Sequence, residues 1–427
     1  MQFRPFLRVA IGLAVATSLF GLPGPVSGGG PVPYNYPSPQ CPESATGLQA
    51  CIDGAASGDR IHLGIETINE FPQVTKSLTI DATAGFTPTV SGFVVSSDAA
   101  TVDVTIERVT LQFFLAVELT GGSGHRVTLR RATVIGQNSP DAGAVGFHTS
   151  VPAQLVIERS TIRSTGNQAP AVNFRGALTS GVASVAVVGS RISQPGTASG
   201  GSGIQVDGSG AGQLQADIMN NTVWDVAGCN CGSSASLEIN VEGTVQADIN
   251  AVGNTFEGSA ATGISLRNDL EPGGSIALDV FDNIISHQDF AGILLEDTGG
   301  TLTFRNGFND LFQNGFNELD GASFAASTLH VSPRFVDRTA GKLKLRSDSP
   351  LIDAGQVCTP GGVADPDAAG KHRLAGPTVD IGAYEFGAVV PTGGVFVGDD
   401  TPDSFGGTGG ADILCGYGAA DFLDGAG

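Results

Sequence analysis

The sequence is poor in charged and bulky residues. Of its 427 residues only 15% are charged, and one tryptophan and two methionines stand against 62 glycines. This composition argues against a helical enzyme and favours many short strands joined by turns. Among the charged residues the basic ones are the minority: 21 lysines and arginines and 42 acidic residues give a net charge of −21. Nucleic acid and anionic membranes are therefore poor partners, and cations such as calcium are better ones.

Long apolar runs are missing after the first 28 residues. Arg4 and Arg8 precede an apolar run over residues 9–22, and small residues follow it. This order is typical of a secretory signal peptide, predicted here for residues 1–28. The run is shorter than the roughly 20 residues that span a bilayer. We therefore expect a secreted or cell-surface protein with no transmembrane segment after signal cleavage.

Cysteines are few, and an exported chain with six of them is compatible with disulfides. They are Cys41, Cys51, Cys229, Cys231, Cys358 and Cys415. The first two flank a predicted helix and form the best pair. The middle two favour a loop cross-link over a thiol or metal site, because no further ligand is near them. The last two either pair across domains or remain free.

The chain divides into five predicted parts: a signal peptide (1–28), a Gly/Pro-rich linker (29–40), a large β domain (41–386), a second linker (387–397) and a C-terminal repeat (398–427). The β domain opens with an amphipathic helix within residues 44–56. Thr46 and Gln49 have the spacing of a capping box. The residues predicted to share one face of this helix are Leu48, Cys51, Ile52 and Ala55.

Eight segments of the β domain align without gaps: VTIERVTL, VTLRRATV, LVIERSTI, VAVVGSRI, ADIMNNTV, INAVGNTF, LDVFDNII and FRNGFNDL. Their first and third positions are apolar, except Asn306 in the last segment, and their second positions are mostly polar. This alternation predicts strands with positions one and three inside. A second recurring strand lies between them, as in AVGFHT, GIQVDG and GISLRN. Each coil is too small to bury its own apolar face, so stacked coils are predicted: an all-β parallel β-helix, right-handed by the bias of parallel connections.

Two polar columns run through the aligned segments. The sixth positions of the last four are Asn221, Asn254, Asn283 and Asn309. A hydrogen-bonded ladder at a tight turn is the favoured interpretation, with a polar ligand site as the alternative. The fifth positions of the first three are Arg108, Arg131 and Arg159. This column could grip an acidic polysaccharide, but pairing with Glu107 and Glu158 is favoured.

The opening GLQACIDGAASGDRIHL, with VTKSLTID and PTVSGF, resembles the start of pectin-lyase-like right-handed β-helix proteins, which implies that the helix caps the rod. LHVSPRFVD, GKLKLRSDSPLIDAGQ, DPDAAGKHR and VDIGAYEF together resemble the C-terminal part of the choice-of-anchor Q family. That resemblance implies export and surface association, with no assigned chemistry. Asp365, Asp367 and Gly370 could form a calcium loop, but a polar loop that seals the last coil is favoured.

No catalytic constellation stands out in the sequence. His125 and His148 lie near the arginine column and are the best candidate bases, although a lone surface histidine is more often inert. The overall layout is similar to that of mannuronan epimerases, whose expected Tyr-Gly-x-Asp-Pro-His motif is absent. Convergence of His125, His148 and Arg131 with carboxylates in a cleft would favour an enzyme acting on acidic polysaccharide. Dispersed positions would favour a binding or structural module.

Glycine, aspartate and a large apolar residue recur every nine residues at the C-terminus. The glycines are Gly398, Gly407, Gly416 and Gly425, the carboxylates are Asp403, Asp412 and Asp421, and the apolar residues are Phe405, Leu414 and Leu423. The pattern resembles the hemolysin-type (RTX) calcium repeat, in which glycines form turns, carbonyls and carboxylates bind calcium, and the apolar residue fills a thin core.

The RTX resemblance implies a short calcium β-roll in which one coil takes two nonapeptides. Calcium would then lie between the turns around Asp403 and Asp421, while the turn around Asp412 would form half a site. The predicted calcium ligands are contributed by Gly398, Asp403, Gly407, Asp412, Gly416 and Asp421. RTX repeats are usually associated with type I export, in contrast to the Sec-like signal of this chain.

Overall fold

The computed structural model describes residues 33–136, 143–165, 169–195, 201–228, 234–259, 261–319, 323–360, 362, 365–389, 395–397, 404–407, 412–416 and 422–425. The predicted signal peptide and the Cys229–Cys231 pair lie outside the described residues. Among the residues that are described, no helix has the length and hydrophobicity needed to cross a bilayer.

The body is a parallel β-helix, as the alternation of the repeats predicts, and each coil has a third strand besides the two that recur in the sequence. Strands are numbered β1 to β35 in chain order. The first sheet contains β1 (Pro33–Tyr36), β2 (Arg60–Leu63), β5 (Leu78–Ala82), β7 (Asp103–Glu107), β9 (His125–Arg130), β12 (Ala153–Glu158), β15 (Val182–Val188), β18 (Gln213–Met219), β21 (Gln246–Val252), β24 (Ser275–Phe281) and β27 (Thr301–Gly307). Its eleven parallel strands stack over about 48 Å.

The second and third sheets are joined because two long strands, β6 (Thr89–Ser97) and β8 (Thr110–Leu119), pass through both. The other strands of the second sheet are β3 (Thr67–Ile68), β10 (Thr133–Gly136), β13 (Thr161–Ser164), β16 (Arg191–Gln194), β19 (Thr222–Val226), β22 (Thr255–Glu257), β25 (Ile284–Ser286) and β28 (Asp310–Phe312). Those of the third are β4 (Gln73–Val74), β11 (Val145–Thr149), β14 (Val172–Leu178), β17 (Ile204–Gly210), β20 (Ala235–Gly243), β23 (Thr262–Leu270), β26 (Ala291–Asp297) and β29 (Phe316–Leu319).

One continuous apolar core fills the coils. The first and third positions of the aligned segments are buried from Val104 and Ile106 through to Leu278 and Val280, which confirms the predicted inward face. Equivalent residues stack in register from coil to coil because every neighbouring pair in these sheets is parallel. The core therefore consists of aliphatic columns, and no coil could bury its apolar face alone.

The amino-terminal helix α1 (Gly47–Gly54) packs on this core, and the predicted apolar face, including Leu48 and Ile52, is buried. The disulfide between Cys41 and Cys51 is confirmed. The capping-box prediction is wrong: Thr46 makes no side-chain cap, and the Glu70 carboxylate instead accepts the first amides, at 3.0 Å from Leu48 N and 3.1 Å from Gln49 N. A negative charge at this end also favours the helix dipole.

Part of the predicted first linker is a strand. β1 pairs in parallel with β2, so Pro33–Tyr36 adds an outermost rung to the first sheet. Tyr36 is buried in the core, which gives this segment an apolar anchor despite its proline-rich surroundings.

The last part of the β domain, residues 323–386, does not continue the coils. After β29 the chain forms the antiparallel pair β30 (Phe335–Asp337) and β31 (Lys342–Leu345) and returns along the outside of the body. Two small apolar clusters attach it, one around Ile284, Leu351 and Ile381 and one around Leu343 and Tyr384. The lateral packing explains why no repeat is visible in this part of the sequence.

The C-terminal repeat forms two parallel strand pairs. β32 (Val395–Val397) pairs with β34 (Ile413–Cys415), and β33 (Ser404–Gly406) pairs with β35 (Phe422–Asp424). Partners are 18 residues apart, so one coil takes two nonapeptides. A disulfide joins Cys358 to Cys415, which resolves the open alternative for these two cysteines and ties this roll to the body.

Candidate functional site

The outer face of the third sheet carries a row of polar side chains that strand register aligns. The row runs through Glu118, His148, Arg175, Asp207, Asn240, Arg267 and Glu296, one residue per coil from β8 to β26. Their neighbours along each strand, such as Phe174 and Val206, point into the core. The period of two therefore places every member of the row on the solvent side.

A groove of about 490 Å³ follows this row over four coils, from β14 to β23. Side chains that line it include Arg175, Gln205, Asp207, Ser209, Glu238, Asn240, Glu242, Arg267 and Asp269. Amides, carboxylates, guanidinium groups and a hydroxyl thus face one elongated depression. Four acidic residues and two arginines line the groove, so its carboxyl groups outnumber its cationic groups.

Asp207 is at the centre of a hydrogen-bond network in the groove. Its Oδ2 lies 3.2 Å from Arg175 Nε, and its two oxygens accept from Gln205 Nε2 at 3.0 and 2.9 Å. Asn240 Nδ2 also donates to Asp207 Oδ1, at 2.9 Å, and to Glu238 Oε1, at 3.1 Å. One amide therefore bridges two carboxyl groups from adjacent coils. The network fixes these side chains in place, which lowers the entropic cost of ligand binding.

The two bridged carboxyl groups have different environments. Burial raises the pKa of Glu238, and the nearby Asp207 charge adds to that rise, while hydrogen bonds from Ser202 and Asn240 oppose it. Asp207, by contrast, is more exposed and pairs with the Arg175 guanidinium. Two carboxyl groups held side by side in this way can both accept hydrogen bonds from sugar hydroxyls.

The histidines and arginine singled out from the sequence do not converge. His125 is buried in the first sheet, where its Nδ1 accepts from Val102 N and its Nε2 lies 2.8 Å from Gly121 O. The interpretation of His125 as a surface residue is wrong. His148 lies in the third sheet, 3.6 Å from Glu118, and Arg131 lies in the turn after the first sheet. Because these three residues do not meet in a cleft, their positions favour a binding module over an enzyme.

The arginine column is a column of left-handed turns. Arg108, Arg131 and Arg159 have φ of 57°, 49° and 48°, and the same position holds Gly189 and Gly253 in later coils, also at positive φ. Arg131 lies 3.7 Å from Glu107, as predicted, whereas Glu158 pairs with Arg130 and not with the column.

The asparagine column is the buried ladder that was predicted. Each amide Nδ2 donates to the Oδ1 of the next, at 3.1 Å from Asn221 to Asn254 and 3.0 Å for each of the two further steps to Asn283 and Asn309. These side chains are fully buried, which leaves no room for a ligand. The left-handed residue of the turn, however, is the fifth position and not the sixth.

The DPDAAGKHR segment is a polar loop, but it does not seal the last coil. Asp367 accepts from the backbone of Ala369, Lys371 and Glu385. Those contacts use both carboxylate oxygens. The loop lies against the side of the body, where Asn220 Nδ2 donates to Pro366 O at 3.1 Å. This lateral contact is incompatible with a position on the end of the rod.

Half of the predicted calcium residues can be placed. Gly407, Asp412 and Gly416 follow or precede the short strands of the roll, as the nonapeptide pattern predicts, whereas Gly398, Asp403 and Asp421 lie outside the described residues. Between the two strand pairs, the Phe396 and Phe405 rings are 6.1 Å apart. Leu423 is 42% exposed, so the apolar column of the roll is only partly enclosed. Within the described ranges no three metal-binding side chains come together.

The groove was not predicted from the sequence because its residues are ordinary within each coil and meet only when coils stack. Compared with known protein families the chain matches none, and it matches no curated protein either. The resemblances to choice-of-anchor Q proteins and to RTX repeats therefore stay predictions, and the fold shown is a parallel β-helix.

Proposed function

We propose that this chain is an extracellular β-helix protein that binds polysaccharide in the groove of the third sheet and calcium at its C-terminal roll. The observation that carries the glycan proposal is the fixed network of Asp207, Asn240 and Glu238 in an elongated polar depression. Paired donors and acceptors of this kind suit sugar hydroxyls, and the coil spacing of about 4.8 Å is close to the length of one sugar unit.

The charge of the groove determines which class of glycan, anionic, neutral or cationic, it can bind. Its acidic excess, within a chain of net charge −21, repels polyanions and favours neutral or cationic sugars. The sequence suggested acidic polysaccharides as substrates, and the carboxylates of the groove argue against that class. A peptide is a poorer occupant as well, because the groove offers few apolar side chains to anchor one.

Isothermal titration calorimetry with cello-, manno- and chitooligosaccharides, chitosan oligosaccharides and oligogalacturonates tests this proposal. We expect a neutral or cationic member to bind, and Asn240→Ala to weaken that binding at least tenfold by releasing both carboxyl groups. Asn250→Ala is the matched control, because Asn250 donates to Asp217 at the same 2.9 Å on the first sheet, outside the groove. Equal losses in both variants, or binding of the oligogalacturonate alone, would contradict the proposal.

A second candidate function is hydrolysis of the bound glycan, favoured by the closeness of the Glu238 and Asp207 carboxyl groups, which one Asn240 amide bridges. Glu238 would protonate the glycosidic oxygen as that bond breaks, and the Asp207 carboxylate would bond to the anomeric carbon until water hydrolyses the intermediate, with Glu238 taking the proton of that water. If so, Glu238→Gln abolishes release of new reducing ends but leaves the dissociation constant within about threefold. Glu118→Gln, on the same face and outside the groove, is the control. Absence of any release by the unaltered protein would leave binding as the function.

The calcium proposal is supported by the 18-residue separation of paired strands, which is the separation expected of a β-roll with two nonapeptides per coil. Carboxylates and backbone carbonyls in those turns are the hard oxygen ligands that calcium prefers. Calcium titration of the chelated full chain should therefore give saturable binding. Asp403→Ala should abolish most of it, since Asp403 belongs to the complete site, and Asp412→Ala should reduce it less. The reverse order would contradict the assignment.

The extracellular assignment is supported by the signal-like N-terminus and by two disulfides, which persist in oxidising compartments. Secretion with signal removal can be tested by expression in a host with Sec export and sequencing of the mature N-terminus. An N-terminus close to residue 29 is expected.

A further inference from the structure

An aromatic cluster, formed by Phe71, Phe113 and Phe114, lies on the outside of the body near its N-terminal end. The Phe71 ring is 5.4 Å from that of Phe114 with an interplanar angle of 20°, and 5.6 Å from that of Phe113. Phe71 is 51% exposed although it makes both ring contacts. Phe71 thus exposes half of a large aromatic side chain beside two further rings, and such a grouped apolar surface is a candidate recognition element.

Two local features build this cluster. The β6 and β8 strands shift register between Val90 and Gly92, and the extra residue in β8 brings the consecutive Phe113 and Phe114 together beside Phe71. Gly92 lies beneath: a Cβ there would be 3.2 Å from Phe71 Cδ1 and 2.7 Å from Phe114 O. Glycine thus lets the Phe71 ring lie close against the sheet.

The backbone of Phe71 is held on both sides. The carboxylate of Glu70 accepts the first amides of α1, and the carbonyl of Pro72 accepts from Val94 N at 3.0 Å. The cluster is therefore a fixed surface, which loses little entropy on binding a ligand.

The cluster and the groove share one face of the third sheet. Phe114 and Glu118 are four residues apart in β8, and their alternation places both on the outer side. Glu118 aligns through His148 and Arg175 with Asp207. By strand rise and coil spacing, Phe114 lies about 20 Å from Asp207, a separation of a few sugar units.

We propose that the Phe71 cluster is a stacking platform for a pyranose ring of the same glycan chain that the groove binds. This inference rests on the proposed function and deepens it: the ligand would be a chain long enough to span both sites, with an apolar C–H face on a terminal or internal sugar. A second copy of this protein is a poorer occupant, since three partly buried rings offer far less than the roughly 800 Å² per partner of a stable interface.

The test compares ligand lengths by calorimetry on the full chain, with cellohexaose and cellobiose and with the hexamer and dimer of chitosan. Phe71→Ala should weaken hexamer binding about tenfold and leave dimer binding unchanged, because only the hexamer reaches the platform. Phe71→Trp should restore hexamer affinity. Phe86→Ala, an exposed phenylalanine outside the cluster, is the control and should change neither.

Each outcome decides one claim. The platform proposal would be overturned if the hexamer and the dimer bound equally, or if Phe71→Ala left the hexamer affinity unchanged. The proposal that the groove binds glycan would still stand. Failure of every probe to bind the unaltered protein would overturn the proposed function and the platform with it. Light scattering that detects a dimer abolished by Phe71→Ala would assign the cluster to self-association instead.

Discussion

The body and the C-terminal roll are both built of stacked repeats, but the repeats of the body are stabilised far more than those of the roll. First-sheet strands of the central coils are six or seven residues long and enclose an apolar core with a buried asparagine ladder beside it. Strands of the roll have three residues each, and Phe422 and Leu423 are 64% and 42% exposed. Each repeat is stabilised by the apolar surface that it buries against its neighbours. Because the short strands of the roll bury little, the roll needs stabilising contacts from outside its own core.

That support has two sources in our account: the Cys358–Cys415 disulfide and calcium. The body, in contrast, should need neither. The stability of the body should instead depend on pH, because the body contains buried ionisable groups.

The largest expected effect concerns Asp282 in the body. Burial raises the pKa of Asp282 to about 7, against the opposing effects of the Gln356 N–H and the Arg373 charge. Because the folded-state pKa lies above that of the unfolded chain, the stabilising contribution is complete below about pH 4 and is lost as the pH rises through about 7. By linkage the loss for this group is up to about 4 kcal/mol.

Asp282→Asn keeps the acceptor for Gln356 and removes the titration. We therefore expect the urea midpoint of the body to fall less between pH 4 and pH 8 in this variant than in the unaltered chain. Part of the fall should remain, since burial also raises the pKa of Asp310 and Glu385 to about 7. An unchanged pH profile would contradict the assignment. Asp337→Asn, at the surface, is the control.

Removal of the disulfide should affect the roll alone. The pair Cys358→Ser with Cys415→Ser opens a link between residues 57 apart, which costs about 4 kcal/mol by loop entropy. Limited proteolysis should then cleave within residues 390–427 much faster, while the urea midpoint of the body stays within error. A comparable loss in the body would contradict the view that it is self-sufficient.

The asparagine ladder should contribute about 2 to 3 kcal/mol per rung. Asn254→Ala removes an acceptor for the backbone and side chain of Asn221 and a donor to Ile218 O and Asn283, all of them buried. Urea unfolding followed by circular dichroism measures the loss. Asn250→Ala, four residues earlier and on the outer side, should cost under about 1 kcal/mol. Equal costs would show that the ladder is dispensable.

The smallest effect should be stabilising. Arg131 has a φ of 49°, a conformation that glycine adopts without strain and that glycines occupy at the same position of two later coils. Arg131→Gly should therefore raise the free energy of unfolding by about 0.5 kcal/mol, since its ion pair with Glu107 is half-exposed and weak. Arg130→Gly, in a strand and 2.6 Å from Glu158, should lower it. Destabilisation by Arg131→Gly would contradict the turn assignment.

Sequence periodicity predicted the coils, their inward columns and the asparagine ladder, because each depends on residues that recur at equivalent positions. It could not predict the lateral return of the chain, whose contacts, such as Gln356 with Asp282, join residues far apart and without a period. The groove could not be predicted for a related reason. Asp207 and Asn240 show no special pattern in their own strands, and they form a site only because the strand register places them side by side. The roll was predicted from its nine-residue period, and its strand pairing agrees with that prediction.

Hydrogen exchange of the full chain, with calcium and with chelator, tests the contrast between body and roll most directly. We predict that calcium slows exchange in β32 to β35 at least tenfold and leaves β7 to β27 unchanged, because only the roll lacks an enclosed core of its own. Equal exchange in the roll with and without millimolar calcium, or slowing spread evenly through the body, would contradict the account.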